Sequence, residues 1–212
     1  MDRATILSAL LETKIIAIIR LDAADYVQPA ALALRKGGVR AIEVTVGTPN
    51  VFEEIAKLAK QPGIIPGVGS VVDTKAVQAA VRAGAQYIVT PASKREVIEE
   101  AHRLGKPVLS GAATPTEILQ AYEWGADIIK LFPANFFGLS YFKALQAPMP
   151  HIPIMPTGGV SVENAAEWIK NGAVCLGVGS ALVSQKVVEE ADYDLIASRA
   201  RKMRAEIDKL NI

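Results

Sequence analysis

The chain has 212 residues, a formal net charge of +1, 50% hydrophobic residues and 21% charged ones. That composition supplies a sizeable core, and the balanced charge leaves no electrostatic footprint for nucleic acid or an anionic membrane surface. A single cysteine, Cys175, excludes an internal disulfide framework and a cysteine-built zinc site. The opening "MDRATILSALLETK" has acidic residues and no long apolar core, unlike a signal peptide. No run reaches the roughly 18 apolar residues of a membrane span, so we read a cytoplasmic chain forming one domain over residues 1–212.

In chain order, a helix over 3–12 leads into a strand at 14–20. Helix 25–37 then ends on glycine and feeds "GGVRAIEV", a strand at 39–46. The same grammar repeats: helix 50–60 and strand 63–68, helix 73–83 and strand 86–90, helix 94–104 and strand 107–110. Helix 115–123, strand 126–131, helix 139–147, strand 152–156, helix 161–171, strand 173–178 and helix 187–210 complete it. At five of these junctions (37–44, 83–90, 104–110, 124–131 and 171–178) a glycine just past the helix supplies the left-handed terminal residue, and a short Ile/Val-rich run reads as a strand buried on both faces. Ser93 with Glu96, and Thr114 with Glu117 and Pro115, read as capping boxes. Eight strands alternating with helices predict parallel pairing through right-handed crossovers, and closure into a (β/α)8 TIM barrel with an extra N-terminal helix. A doubly wound open sheet is the alternative, but nothing marks an edge strand.

In a barrel, chemistry gathers at the C-terminal ends of the strands. Polar residues there are few: Arg20, Glu43, Thr45, Ser70, Thr90, Ser110, Lys130 and Thr157. Glu43 and Lys130 each fall five residues after the glycine ending the preceding helix, Gly38 and Gly125. Equivalent units put both side chains at one height, on strands two and six, which face each other across an eight-stranded barrel. A core ion pair is one reading, although buried pairs rarely add stability over apolar packing. The chemical reading is an amine whose apolar surroundings favour its neutral, nucleophilic form, with a carboxylate to move protons.

"PTGGVSVEN" (156–164) and "GVGSAL" (177–182) place glycines in the loops after strands seven and eight, with Ser161 as a helix N-cap. Such loops let backbone N–H groups approach an anion, and this pair of loops is the usual phosphate site of a barrel. Gly158, Gly159, Gly179 and Ser180 are therefore phosphate-binding candidates, against the alternative of two ordinary turns. "GVGS" (67–70) reads either as a small-residue wall with Ser70 as a donor or as a simple turn. Phe132 is a candidate apolar wall beside the reacting carbon. His102 in a helix and His151 before strand seven belong at the opposite end, which disfavours a zinc aldolase or a histidine acid–base enzyme.

"IEVTVGTP", "GVGSV", "IIKLFPA", "PTGGV" and "GVGSAL", in this order and spacing, resemble the class I 2-keto-3-deoxy-6-phosphogluconate (KDPG) aldolases, a family that includes 4-hydroxy-2-oxoglutarate aldolase activity. The resemblance spans roughly residues 5–205. It implies cleavage to pyruvate and glyceraldehyde 3-phosphate through a Schiff base on Lys130, with Glu43 moving protons. It also implies no metal or cofactor, and a homotrimer. Thr157, Gly158, Gly159, Gly179 and Ser180 fall on substrate and phosphate positions. Two positions depart from the pattern. Gly47 stands where some members carry an arginine for the pyruvate carboxylate, and Ser70 stands where a threonine is usual. Arg20, at the end of strand one, is the candidate replacement cation, or else a rim salt bridge. The other readings are an aldolase for the galactonate epimer or for 4-hydroxy-2-oxoglutarate, and, from a different class, a non-catalytic phosphate-binding or assembly barrel.

Overall fold

The structure is a computed structural model and describes residues 2–210. Its strands are β1 (Ile15–Ile19), β2 (Ala41–Thr45), β3 (Ile65–Gly69), β4 (Tyr87–Val89), β5 (Val108–Ala112), β6 (Ile128–Leu131), β7 (Ile154–Pro156) and β8 (Leu176–Val178). All neighbouring strands pair in parallel, in the order β7-β6-β5-β4-β3-β2-β1-β8. The two ends meet through a bridge between Thr157 and Gly177 and a 3.1 Å bond from the Val174 N–H to the Ile154 carbonyl. The sheet is therefore a (β/α)8 barrel, joined most sparely between β7 and β8.

The helices are α1 (Arg3–Thr13), α2 (Val27–Lys36), α3 (Val51–Leu58), α4 (Thr74–Arg82), α5 (Arg95–Arg103), α6 (Pro115–Glu123), α7 (Ala134–Gln146), α8 (Ala165–Lys170), α9 (Gln185–Glu189) and α10 (Tyr193–Asp208). The helix-ending glycines Gly38, Gly84, Gly105, Gly125 and Gly172 all have positive φ, as the repeat requires. Thr114 and Glu117 form the expected capping box, with Pro115 in the first turn.

Four details differ from expectation. Ser93 does not cap α5: its hydroxyl donates to the Gly111 carbonyl at 2.8 Å and lies 3.0 Å from the Ser110 hydroxyl, tying the loop after β4 to β5. Ser161 is not an N-cap, because Asn164 holds residues 161–164 in turns and α8 begins only at Ala165. The helix expected from residue 139 begins at Ala134 and breaks at Gly138, whose φ of 73° and ψ of 176° interrupt the helical run. The final helix is two, α9 and α10, separated at Ala191 with φ of 54°.

Two apolar cores result. The larger lies between the sheet and the surrounding helices. The smaller fills the barrel's lower interior, where Ile16, Ala41, Ile65, Tyr87, Val89, Leu109, Ile128, Met155 and Cys175 meet Ile6 and Leu10 of α1. The extra helix is thus the plug that closes the bottom. Asp2 starts it by accepting the Thr5 N–H at 2.8 Å.

Candidate active site

Side chains alternate along a strand, so the residue two positions beyond each plug residue faces the interior one layer higher. Beyond Ala41 comes Glu43; beyond Ile128, Lys130; beyond Met155, Thr157. Beyond Ile65, Leu109 and Cys175 come Gly67, Gly111 and Gly177. The upper interior therefore combines three polar side chains with glycines. Those glycines make room for their neighbours. A Cβ at Gly67 would strike the Tyr87 ring, one at Gly69 the Glu43 carboxylate, and one at Gly177 the Thr157 hydroxyl.

Lys130 and Glu43 meet in this space. Lys130 is 5% exposed and Glu43 fully buried, and the Lys130 Nζ lies 3.9 Å from the Glu43 Oε1. This is a charge contact at longer than hydrogen-bond distance. Neither Glu43 oxygen has a hydrogen-bond partner among the described residues. Burial pushes the Glu43 carboxyl above its ordinary value, against the opposing pull of Lys130 and then Arg20. A buried carboxyl shifted in this way beside a buried amine is a mark of a functional site.

Above the pair opens a cavity of about 550 Å³. Ile18, Arg20, Lys130, Phe132 and Thr157 line its strand-end side, and residues within 158–161 and 179–185 line the rest. Phe132 stands two residues beyond Lys130, with the Nζ 5.2 Å from its ring centroid. The Thr157 hydroxyl is buried and has no partner among the described residues. Gly158 and Gly159 hold the left-handed conformation, φ of 100° and 71°. Gly179 meets only open space where a side chain would stand. The segment after Arg20 is pinned on both sides. The Leu21 N–H donates to the Thr48 hydroxyl at 3.3 Å and the Asp22 N–H to the Gln185 side-chain oxygen at 3.1 Å.

The candidates Arg20, Phe132, Lys130, Thr157, Gly158, Gly159, Gly179 and Ser180 thus share one cavity, with Glu43 beneath it. Ser70 does not line it; it sits past β3 with φ of 60°. Thr90 and Ser110 alternate with the interior residues Val89 and Leu109, so they face outward, where the Thr90 hydroxyl accepts the Gly111 N–H at 3.1 Å. Gly47 lies exposed in the loop after β2 with nothing near its missing side chain. His102 pairs with Asp127 at 2.9 Å and His151 packs edge-on against Tyr122, both at the opposite end of the barrel.

Three residues gain importance only here. Thr45 is buried two positions beyond Glu43, its hydroxyl without a hydrogen-bond partner among the described residues. The Tyr87 ring reaches from the lower core into the space beside Gly67, its hydroxyl likewise without a partner among the described residues, and burial followed by the Glu43 charge pushes its phenol well above the ordinary value. In an Ile/Val-rich strand a tyrosine reads simply as core. Asn164 carried a usable signal, an amide three residues after Ser161 in a loop, where it can bond the backbone.

A parallel barrel with a buried lysine and carboxylate under a glycine-rimmed cavity is an arrangement suited to carbonyl chemistry at an amine. Comparison with known proteins narrows the class. The family model described as "Aldolase: KDPG and KHG aldolase" matches residues 6–199, and the chain belongs to that family. It is 34% identical, over 90% of its own length and 88% of the other's, to the 2-dehydro-3-deoxy-phosphogluconate aldolase of Pseudomonas aeruginosa. It is 37% identical, over 79% and 83%, to the 2-dehydro-3-deoxy-6-phosphogalactonate aldolase of Escherichia coli. Among solved structures, it resembles the KDPG aldolase of Legionella pneumophila with pyruvate captured as a covalent carbinolamine. That likeness has a TM-score of 0.86 and 26% identity, and covers 93% of this chain and 97% of the other.

Proposed function

We propose that the chain is a class I aldolase that cleaves 2-keto-3-deoxy-6-phosphogluconate to pyruvate and glyceraldehyde 3-phosphate. The observation that carries this is Lys130, buried at the cavity floor with its amine 3.9 Å from a buried Glu43 carboxylate that has no hydrogen-bond partner among the described residues. The neutral amine attacks the substrate's C2 carbonyl, a proton passes to the oxygen, and water leaves to give an iminium. Glu43 moves the protons of these steps. Loss of the C4 hydroxyl proton then breaks the C3–C4 bond. The aldehyde departs and the bonding pair enters the iminium as an enamine. Protonation at C3 and hydrolysis release pyruvate and restore Lys130. Arg20 holds the carboxylate end, Thr157 and Phe132 flank the reacting carbons, and Gly158, Gly159, Gly179 and Ser180 receive the phosphate; Ser70, off the cavity wall, takes no part.

The second reading is the galactonate epimer, favoured by the 37% identity to the phosphogalactonate aldolase; a 4-hydroxy-2-oxoglutarate aldolase is a further alternative within the family. We further propose one barrel domain over residues 1–212, working in the cytoplasm as a homotrimer. No helix among the described residues is long and apolar enough to cross a membrane. Phe136, 81% exposed, and Val72, 47% exposed, supply apolar surface for contact between copies. Borohydride reduction with pyruvate, followed by peptide mass analysis, tests the mechanism. A stable adduct on Lys130 is expected; no adduct, or one on another lysine, overturns it.

A further inference from the structure

The loop after β7 is a thin wall. Gly158 and Gly159 line the large cavity on one side and a second cavity of about 300 Å³ on the other. Val160 and Ser161 line only the first, whereas Asn164 lines only the second. From that rear side, Asn164 uses both ends of its amide on the loop. Its Nδ2 donates to the Gly159 carbonyl at 2.9 Å, and its Oδ1 accepts the Ser161 N–H at 2.9 Å. The two bonds fix the amide's orientation, since the flipped side chain would set oxygen against oxygen and N–H against N–H.

In a trans peptide the C=O and the following N–H point in opposite directions. Holding the Gly159 carbonyl toward Asn164 therefore turns the Val160 N–H away from it, toward the large cavity that Val160 lines. The clamp acts where it is most needed, because Gly158 and Gly159 are consecutive glycines in the left-handed region and glycine loses the most freedom on ordering. A loop ordered in advance spares the ligand that ordering cost. We propose that Asn164 is a positioning residue, which clamps the loop from behind, aims the Val160 N–H at the phosphate and so sets the preference for a phosphorylated substrate. This rests on the phosphate site proposed above.

The test compares the phosphorylated 2-keto-3-deoxy sugar acid with the same acid lacking its phosphate, and uses inorganic phosphate as a competitive inhibitor. Asn164→Ala is expected to raise KM for the phosphorylated substrate about tenfold, the scale of one lost hydrogen bond. Its kcat and its KM for the unphosphorylated acid should stay near the parent's, and inhibition by phosphate should weaken in parallel. Asn164→Asp is an isosteric second variant. It keeps the acceptor for Ser161, lacks the donor to Gly159, and should show the same selective loss. Equal changes for both substrates, or none in either variant, while the parent keeps its phosphate preference, overturn the role of Asn164 alone. A parent that neither prefers the phosphorylated acid nor is inhibited by phosphate removes the phosphate site itself, and this inference with it.

Discussion

Glu43 occupies the space that a side chain at residue 69 would need. In the β2–β3 ladder Glu43 pairs with Gly67, yet its carboxylate leans one step upward, over Gly69, toward the Lys130 amine. Gly69→Ala is therefore expected to push the carboxylate aside. Overpacking of this kind costs about 1–3 kcal/mol of stability, and an ångström-scale misplacement costs about a hundredfold in turnover. Urea unfolding and steady-state cleavage assays on the one variant check both.

Glu43→Gln keeps the shape and removes the proton acceptor. Turnover should fall by about 10²–10⁴, the usual range for a general acid–base group. The parent enzyme's kcat/KM should rise with pH through an acid limb whose midpoint lies above 4.5, because burial holds the Glu43 carboxyl above that ordinary value. The variant should lack that limb. A parent limb that persists in Glu43→Gln would assign it to another group.

Arg20 lines the cavity just past the end of β1, on a segment pinned to the loops after β2 and β8. Arg20→Ala should raise KM for a 2-oxo acid by roughly 10–100-fold, as expected for a lost charge-assisted hydrogen bond, with a smaller change in kcat. A pyruvate affinity like the parent's would return Arg20 to a structural role at the rim.

Asp127 controls acid stability at the far end of the barrel. Its side chain is 3% exposed. Burial pushes its carboxyl up, but bonds from His102, the Val108 N–H and Arg3 together outweigh this and hold it below its ordinary 3.8. A lowered carboxyl contributes stability that is fully present above pH 3.8 and is lost as pH falls through the folded-state value. Asp127→Asn should lose about 1–3 kcal/mol at pH 7 and show a shallower decline on acidification, measured by urea midpoints between pH 7 and pH 3.

The eight-unit alternation and its glycine punctuation are local, which is why they could be read along the chain. Helix stops demand a left-handed residue and buried parallel strands demand apolar runs, whatever lies elsewhere. The shared register of Glu43 and Lys130 was legible for the same reason: an equal offset from a helix end sets an equal height. Local pattern did less well where a side chain could choose between partners. Ser93 and Ser161 have the chemistry of caps, yet the Gly111 carbonyl engages the first and Asn164 holds the second in a turn.

The sequence by itself determined the barrel, its extra N-terminal helix and the strand-end position of the lysine and carboxylate, because strand and helix periods act within a few residues. Tertiary closure decided the rest. It brought residues 87 positions apart (130 − 43) to a 3.9 Å contact, set Gly67, Gly69 and Gly177 beneath the side chains of neighbouring strands, and left Ser70 off the cavity wall while placing Asn164 behind it. Such contacts run between strands and loops rather than along one strand, so they come into being only when the chain assembles into the barrel.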